Sequence, residues 1–187
     1  MPVRTAPESG ATRSLRARLV AGPVARAIAV GDIKLYRFVR VRLHVPGARR
    51  VVAAYTTAGE HGALWYALGL ACFAVDRRHR RRWRRAMLGI LTTQLINTTV
   101  KDIFRRRRPA LEGVPSLVKL PTSLSFPSSH ASSSFAAARA YSALLPGCPL
   151  YAAAALMALS RVYLGVHYPS DIAVGAGLGL AVGSLAR

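Results

Sequence analysis

The chain has 187 residues, 27 Lys and Arg against 7 Asp and Glu, a formal net charge of +20, and 52% hydrophobic residues. Its length fits a single domain, and its apolar content excludes a wholly disordered chain, which needs low hydrophobicity. An ordinary soluble domain is near neutral and about one-quarter charged, which fits neither this charge nor a mean hydropathy of +0.26.

A membrane protein whose charge sits in its connecting segments satisfies both figures. The two cysteines, Cys72 and Cys148, lie far apart in apolar stretches. They read as small buried hydrophobes rather than as a disulfide or as metal ligands.

Residues 1–27 are rich in Arg, Ala, Pro and Gly and lack sustained apolar periodicity. They read as a disordered basic tail without a signal peptide, since no compact apolar segment precedes a small-residue cleavage site. Residues 28–57 read as an amphipathic segment at the membrane surface. Within it Ile33, Leu35, Tyr36, Phe38, Val39, Val41 and Leu43 interleave with Lys34, Arg37, Arg40 and Arg42. That pattern suits a helix lying on an anionic membrane and, equally, a helix packed on the rest of the protein. Pro46-Gly47 punctuates its end.

Residues 58–187 read as a helix bundle. The apolar stretches are 58–75, 86–100, 120–138 (broken by Pro121 and Pro127), 140–160 and 172–186. Between the first two, residues 76–85 carry seven arginines in ten positions. A spanning helix needs about 20 apolar residues, with roughly 17 tolerated. Each stretch sits at or below that limit, but five in succession predict an all-α polytopic membrane bundle. The expectation is about five spanning helices plus the N-terminal amphipathic surface helix, in a multi-pass plasma-membrane protein. Gly175, Gly179 and Gly183 fall on one helical face, which predicts a close backbone approach by another helix.

Ionisable groups thin out toward the C-terminus. After Glu112 the chain holds one carboxylate, Asp171, two histidines, His130 and His167, and before the terminal Arg187 only Lys119, Arg139 and Arg161 as cations. Such groups among apolar helices are costly and usually functional. Pro169 suits the first position of a helix, so His167 falls just outside that helix and Asp171 in its first turn. The carboxylate is then placed to orient the imidazole, as an acid does beside a nucleophilic histidine. By the same spacing alone, a simple N-cap with an incidental histidine is the commoner arrangement. His130 follows Pro127-Ser128-Ser129 at another helix start, where free N–H groups and the dipole favour anions, although a plain Ser-rich cap looks the same. In Lys101-Asp102-Ile103-Phe104-Arg105-Arg106-Arg107-Arg108-Pro109, Arg105, Arg106 and Arg107 read as a basic interfacial loop.

Taken in order, Lys101-x6-Arg108-Pro109, Pro127-Ser128-Ser129-His130 and Ser160-Arg161-x5-His167-x3-Asp171 form a three-part pattern. It resembles the signature of the type 2 phosphatidic acid phosphatase superfamily, which also contains bacterial acid phosphatases and vanadium haloperoxidases. The motifs cover residues 101–171, and the flanking helices extend the likeness from about residue 50 to the C-terminus. One position departs: Ser129 stands where the family usually has glycine, which keeps the backbone N–H but puts in question any left-handed angle a glycine would supply.

The resemblance implies that His167 attacks phosphorus and that Asp171 orients it. His130 would protonate the leaving oxygen and then activate the water. Lys101, Arg108, Arg161, Ser128 and the N–H of Ser129 would hold the phosphoryl oxygens. It implies no metal and no cofactor. It also implies a lipid phosphate as substrate, the bilayer as partner and no nucleic acid, with oligomeric state left open.

Gly59-Glu60-His61 and the run from Leu124 to Ser133 are further similar to the branch acting on decaprenylphosphoryl-5-phosphoribose in cell-wall arabinan synthesis. Undecaprenyl pyrophosphate, phosphatidic acid and phosphatidylglycerophosphate stay open as substrates. By helix parity, Arg108, His130 and His167 share a face with the N-terminus, and residues 77–85 and Arg187 share the other. Both faces are basic. The arginines of residues 77–85 argue under the positive-inside rule for an outer site, whereas eleven Lys and Arg up to Arg50 tip the reading toward a cytoplasmic one and leave the side open. A reading of another class, a basic protein binding membrane or nucleic acid, rests on the charge alone. It leaves no soluble module to present that charge.

Overall fold

The computed structural model describes residues 22–43, 45–118 and 122–187. The basic tail expected over residues 1–27 therefore lies mostly outside the described residues, as does Lys119. Among the described residues seven α-helices follow in order: α1 Pro23–Arg42, α2 Arg49–Ala58, α3 Ala63–Val75, α4 Arg80–Phe104, α5 Ser129–Tyr141, α6 Gly147–Tyr163 and α7 Pro169–Leu185.

The five apolar stretches thus correspond to α3–α7, with two boundaries displaced. Residues 122–128 remain non-helical, so the third helix starts only at Ser129. The fourth stretch is split, because α5 ends at Tyr141 and Pro146 caps the next helix. None of the described helices is both long and apolar enough to cross a membrane. At about 1.5 Å per residue, the 13-residue α3 and α5 reach only roughly 20 Å. The 25-residue α4 has the length but starts with five arginines in its first six residues.

α5 is the central helix. Ala131 to Ser134, Ala136 to Ala138, Ala140 and Tyr141 are all buried, and their small side chains let neighbours approach from every side. α7 packs on α5 through the glycine stripe expected from the sequence. A Cβ on Gly175 would lie 2.7 Å from the Ser128 carbonyl, and one on Gly183 would lie 2.6 Å from that of Ala136. A Cβ on Gly179 would strike the carbonyl of Ser132. Only glycine permits this contact, and it ties the start of α7 to the start of α5.

At the far end of the bundle Trp65, Trp83 and Tyr141 are buried together. The Trp83 and Tyr141 rings meet at 5.1 Å, and the Tyr141 hydroxyl donates to the Trp65 carbonyl at 2.9 Å. There too Arg85 donates to the carbonyl of Leu185 at 2.7 Å. Lys101 lies 21 residues along α4 from Arg80, roughly 30 Å away. The arginine-rich turn and the C-terminus therefore sit opposite the three motifs, the arrangement that helix parity predicted.

α1 starts at Pro23, inside the residues read as tail, and its inner face packs on the bundle. Asp32, Tyr36 and Arg40 are buried. Tyr36 donates to the Gly165 carbonyl at 3.3 Å, and Arg40 donates to the carbonyls of Tyr163 (2.9 Å) and Pro115 (2.6 Å). The rest of its surface leaves Ile28, Leu35, Phe38 and Val41 exposed, as α4, α6 and α7 leave Leu88, Leu91, Leu95, Leu156, Leu159 and Val174. Cys72 is half-buried and Cys148 exposed, both free. The burial expected of Cys148 is not met, because it sits in the exposed first turn of α6.

Candidate active site

The three motifs meet at one end of the bundle, around a cleft of about 360 Å³ lined by Lys101, Arg108, Ser129, His130, Arg161 and His167, among others. Each arrives for a local reason. Lys101 lies in the last turn of α4, which ends on Arg105 in the left-handed conformation (φ 48°). The chain then runs extended and pairs with residues 123–125: Arg108 N–H bonds the Ser123 carbonyl at 3.0 Å, and Ser125 N–H bonds that of Arg106 at 2.8 Å. Side chains alternate in extended backbone, so Arg106 and Arg108 turn inward while Arg107 is exposed.

Arg108 is fixed by carbonyls. Its guanidinium donates to Thr122 O at 2.9 Å and Val166 O at 2.8 Å, and approaches His167 Nε2 at 3.2 Å. His167 sits just before α7 and is 2% exposed. Its Nδ1 is 3.5 Å from Asp171 Oδ2, with no closer partner. An arginine donates to Nε2, so Nε2 carries the lone pair and the proton belongs on Nδ1, facing the carboxylate. Burial pushes the His167 imidazole down to about 4, helped by Arg108 and Arg161 against the pull of Asp171. His167 is therefore neutral at pH 7.

Asp171 is fully buried behind the histidine and does not line the cleft. Its Oδ2 accepts the Tyr168 N–H at 2.8 Å and its Oδ1 accepts Arg106 at 2.9 Å. Its carbonyl accepts the Ser128 N–H at 3.0 Å, which links the second and third motifs directly.

His130 lies in the first turn of α5, with Nε2 3.3 Å from the carbonyl of Thr56. Ser129 is the first residue of α5 and is not among the residues of positive φ. The position usually held by glycine thus needs no left-handed backbone here. The Ser129 hydroxyl donates to Asn97 at 2.7 Å, which leaves its N–H at the helix start.

Ser128 departs from expectation. It is fully buried, its hydroxyl accepts the Ala131 N–H as an N-cap (3.4 Å), and it does not line the cleft. Arg161 is 2% exposed, and its Nε has no hydrogen-bond partner.

Sequence reasoning missed Arg106, which it assigned to a basic interfacial loop. Arg106 forks between Asp171 (2.9 Å) and Asp32 of α1 (2.7 Å) and stacks over the Tyr168 ring at 4.1 Å. Nothing local distinguishes one arginine in a run of four. A signal did exist in its partner, since Asp32 is the only acidic residue between Glu8 and Glu60.

Two histidines and the cations Lys101, Arg108 and Arg161 thus surround one small cleft, an arrangement suited to an anionic group. The chain matches the PAP2 superfamily over residues 82–187 and belongs to that family. It is 40% identical over 141 residues to decaprenylphosphoryl-5-phosphoribose phosphatase of Mycobacterium tuberculosis, covering 75% of this chain and 79% of the relative. The protein of that name from Mycolicibacterium smegmatis is 38% identical over 131 residues, covering 70% and 72%.

Among solved structures, LpxE of Aquifex aeolicus superposes with a TM-score of 0.72 at 25% identity, over 82% of this chain and 93% of that one. A transmembrane PAP2-type phosphatidylglycerolphosphate phosphatase from Bacillus subtilis gives 0.69 at 26% identity, over 92% and 89%. The chain is thus a phosphatase of the PAP2 class.

Proposed function

We propose that the protein is a membrane-embedded lipid phosphate phosphatase acting through a phosphohistidine, with decaprenylphosphoryl-5-phosphoribose as its substrate. One observation carries the reaction: three desolvated cations converge on a neutral histidine whose Nε2 lone pair faces the cleft. Cations drawn out of water are costly; Glu60 and Asp102 on the cleft wall balance only part of their charge, and a bound phosphomonoester dianion offsets the rest.

In the proposed reaction Arg108 transfers its hydrogen bond from His167 Nε2 to a phosphoryl oxygen. Nε2 then attacks phosphorus as the ester P–O bond breaks. His130 gives a proton to the departing alkoxide, then takes one from the water that cleaves the P–N bond and releases phosphate. Asp171 balances the charge on the His167 ring. Lys101, Arg108, Arg161 and the N–H of Ser129 hold the equatorial oxygens as charge grows. Ser128 acts by capping α5, which fixes that N–H.

The substrate rests on the named relatives and on the cleft wall. Glu60, Gln94, Thr98 and Asp102 line the same cleft and supply donors and acceptors suited to sugar hydroxyls. The exposed apolar residues of α4, α6 and α7 form a surface that suits lipid better than water.

The test is phosphate release by purified protein from decaprenylphosphoryl-5-phosphoribose, undecaprenyl pyrophosphate, phosphatidic acid and phosphatidylglycerophosphate. Turnover is expected to favour the first and to vanish in His167→Ala. Preference for another lipid overturns the substrate, and an active His167→Ala overturns the mechanism.

A further inference from the structure

We infer that Asp32, on the N-terminal helix and outside the region matched to the family, is a positioning residue for the catalytic pair. It acts by drawing the charge of Arg106 away from Asp171. This role rests on the phosphohistidine reading above.

Asp32 is 4% exposed, and its carboxylate bonds Ser170 and Arg106 beside the site. Oδ1 accepts the Ser170 N–H at 2.8 Å, and Oδ2 accepts the Ser170 hydroxyl at 2.6 Å and Arg106 at 2.7 Å. Arg106 also donates to Ser170 Oγ at 2.7 Å and to Asp171 at 2.9 Å. The four residues form one closed network behind His167, and α1 is its outer wall.

Charge explains why a second carboxylate belongs there. Arg106 paired with Asp171 alone would make a neutral couple, leaving little negative charge to stabilise the imidazolium-like ring of a phosphohistidine. With Asp32 the group carries a net charge of minus one, and the planar guanidinium fork reaches both carboxylates at once. The Asp171 charge is then available at Nδ1, 3.5 Å away. Asp32 also caps the first turn of α7, where anions are favoured, and so fixes the turn that carries Asp171.

The experiment compares wild type, Asp32→Asn, Arg106→Lys and the double variant Asp32→Asn/Arg106→Gln, all as full chains in detergent. Decaprenylphosphoryl-5-phosphoribose and phosphatidic acid serve as parallel substrates. Asp32→Asn keeps the shape and removes the charge. It is expected to lower kcat about tenfold, equivalent to roughly 1.4 kcal/mol at the transition state, with KM within about twofold.

The double variant removes both charges and is expected to recover most of that kcat, which a purely structural role for Asp32 would not produce. Arg106→Lys keeps the charge but loses the fork. It is expected to show the same kcat-selective loss, and it carries the test if Asp32→Asn does not fold. Unchanged kcat in the folded single variants, or a double variant no better than Asp32→Asn, overturns this role alone. Wild-type protein inactive on both lipids overturns the proposed function and this role with it.

Discussion

The guanidinium of Arg108 donates to Nε2 of His167 across 3.2 Å while bonding the carbonyls of Val166 and Thr122. One residue thus fixes the backbone on both sides of the cleft and holds the lone pair that attacks phosphorus in the proposed reaction. Lysine cannot reproduce this, because its single ammonium cannot span the three acceptors. Arg108→Lys is expected to raise KM and lower kcat/KM by about 100-fold, on the scale of losing one preorganised donor. Inhibition by vanadate should weaken in parallel. Unchanged vanadate affinity would remove Arg108 from the oxyanion contacts.

Burial holds His167 neutral down to about pH 4, and the consequence for stability has a definite sign. In the unfolded chain this imidazole takes up a proton near pH 6.5. Between about pH 6.5 and 4 the unfolded state binds more protons, so stability falls as pH falls through that window. A shift of this size is worth on the order of 3 kcal/mol. His167→Gln lacks that group, so its thermal midpoint should decline less than that of wild type between pH 7 and 4. Parallel declines would show that His167 is not held neutral by the fold.

The contact between α5 and α7 yields a paired test. A Cβ at Gly179 strikes Ser132 O and comes within 2.8 Å of Ala136 N, whereas one at Gly177 meets nothing within 4 Å. Gly179→Ala should therefore destabilise by about 1–3 kcal/mol, as overpacking does. It should also lower kcat, because α7 carries Asp171 and α5 carries His130. Gly177→Ala should be neutral or slightly stabilising, since alanine favours helix. Equal thermal midpoints for the two variants would contradict the packing.

The motifs were legible because their spacing is local: Pro169 announces a helix start, and three residues separate His167 from Asp171. The glycine stripe was legible because helical periodicity places positions 175, 179 and 183 on one face. What stayed hidden depends on tertiary placement. The inward turn of Arg106 comes from pairing with residues 123–125, which lie across a loop. The docking of α1 depends on Asp32, Tyr36 and Arg40 finding partners 74 or more residues away. Of the two roles open for that segment, packing on the bundle is the one its inner face fulfils, while its exposed surface mixes Leu35, Phe38 and Val41 with Lys34, Arg37 and Arg42. Ser128 misled for a related reason, because a serine that caps a helix and one that binds phosphate look alike in sequence.

Arg161 sets function against stability. It is almost fully buried, lines the cleft and has an unpartnered Nε. Such a charge is a liability until an anion binds. Arg161→Met keeps the volume and removes the charge, so its thermal midpoint in phosphate-free detergent buffer should rise, by the equivalent of about 1–4 kcal/mol. Phosphate release should fall by about 100-fold or more, and stabilisation by added vanadate should shrink. Chelator should leave wild-type activity intact, since the proposed charge stabilisation comes from Lys101, Arg108 and Arg161. A midpoint that drops in Arg161→Met with vanadate stabilisation unchanged would make Arg161 a structural cation instead.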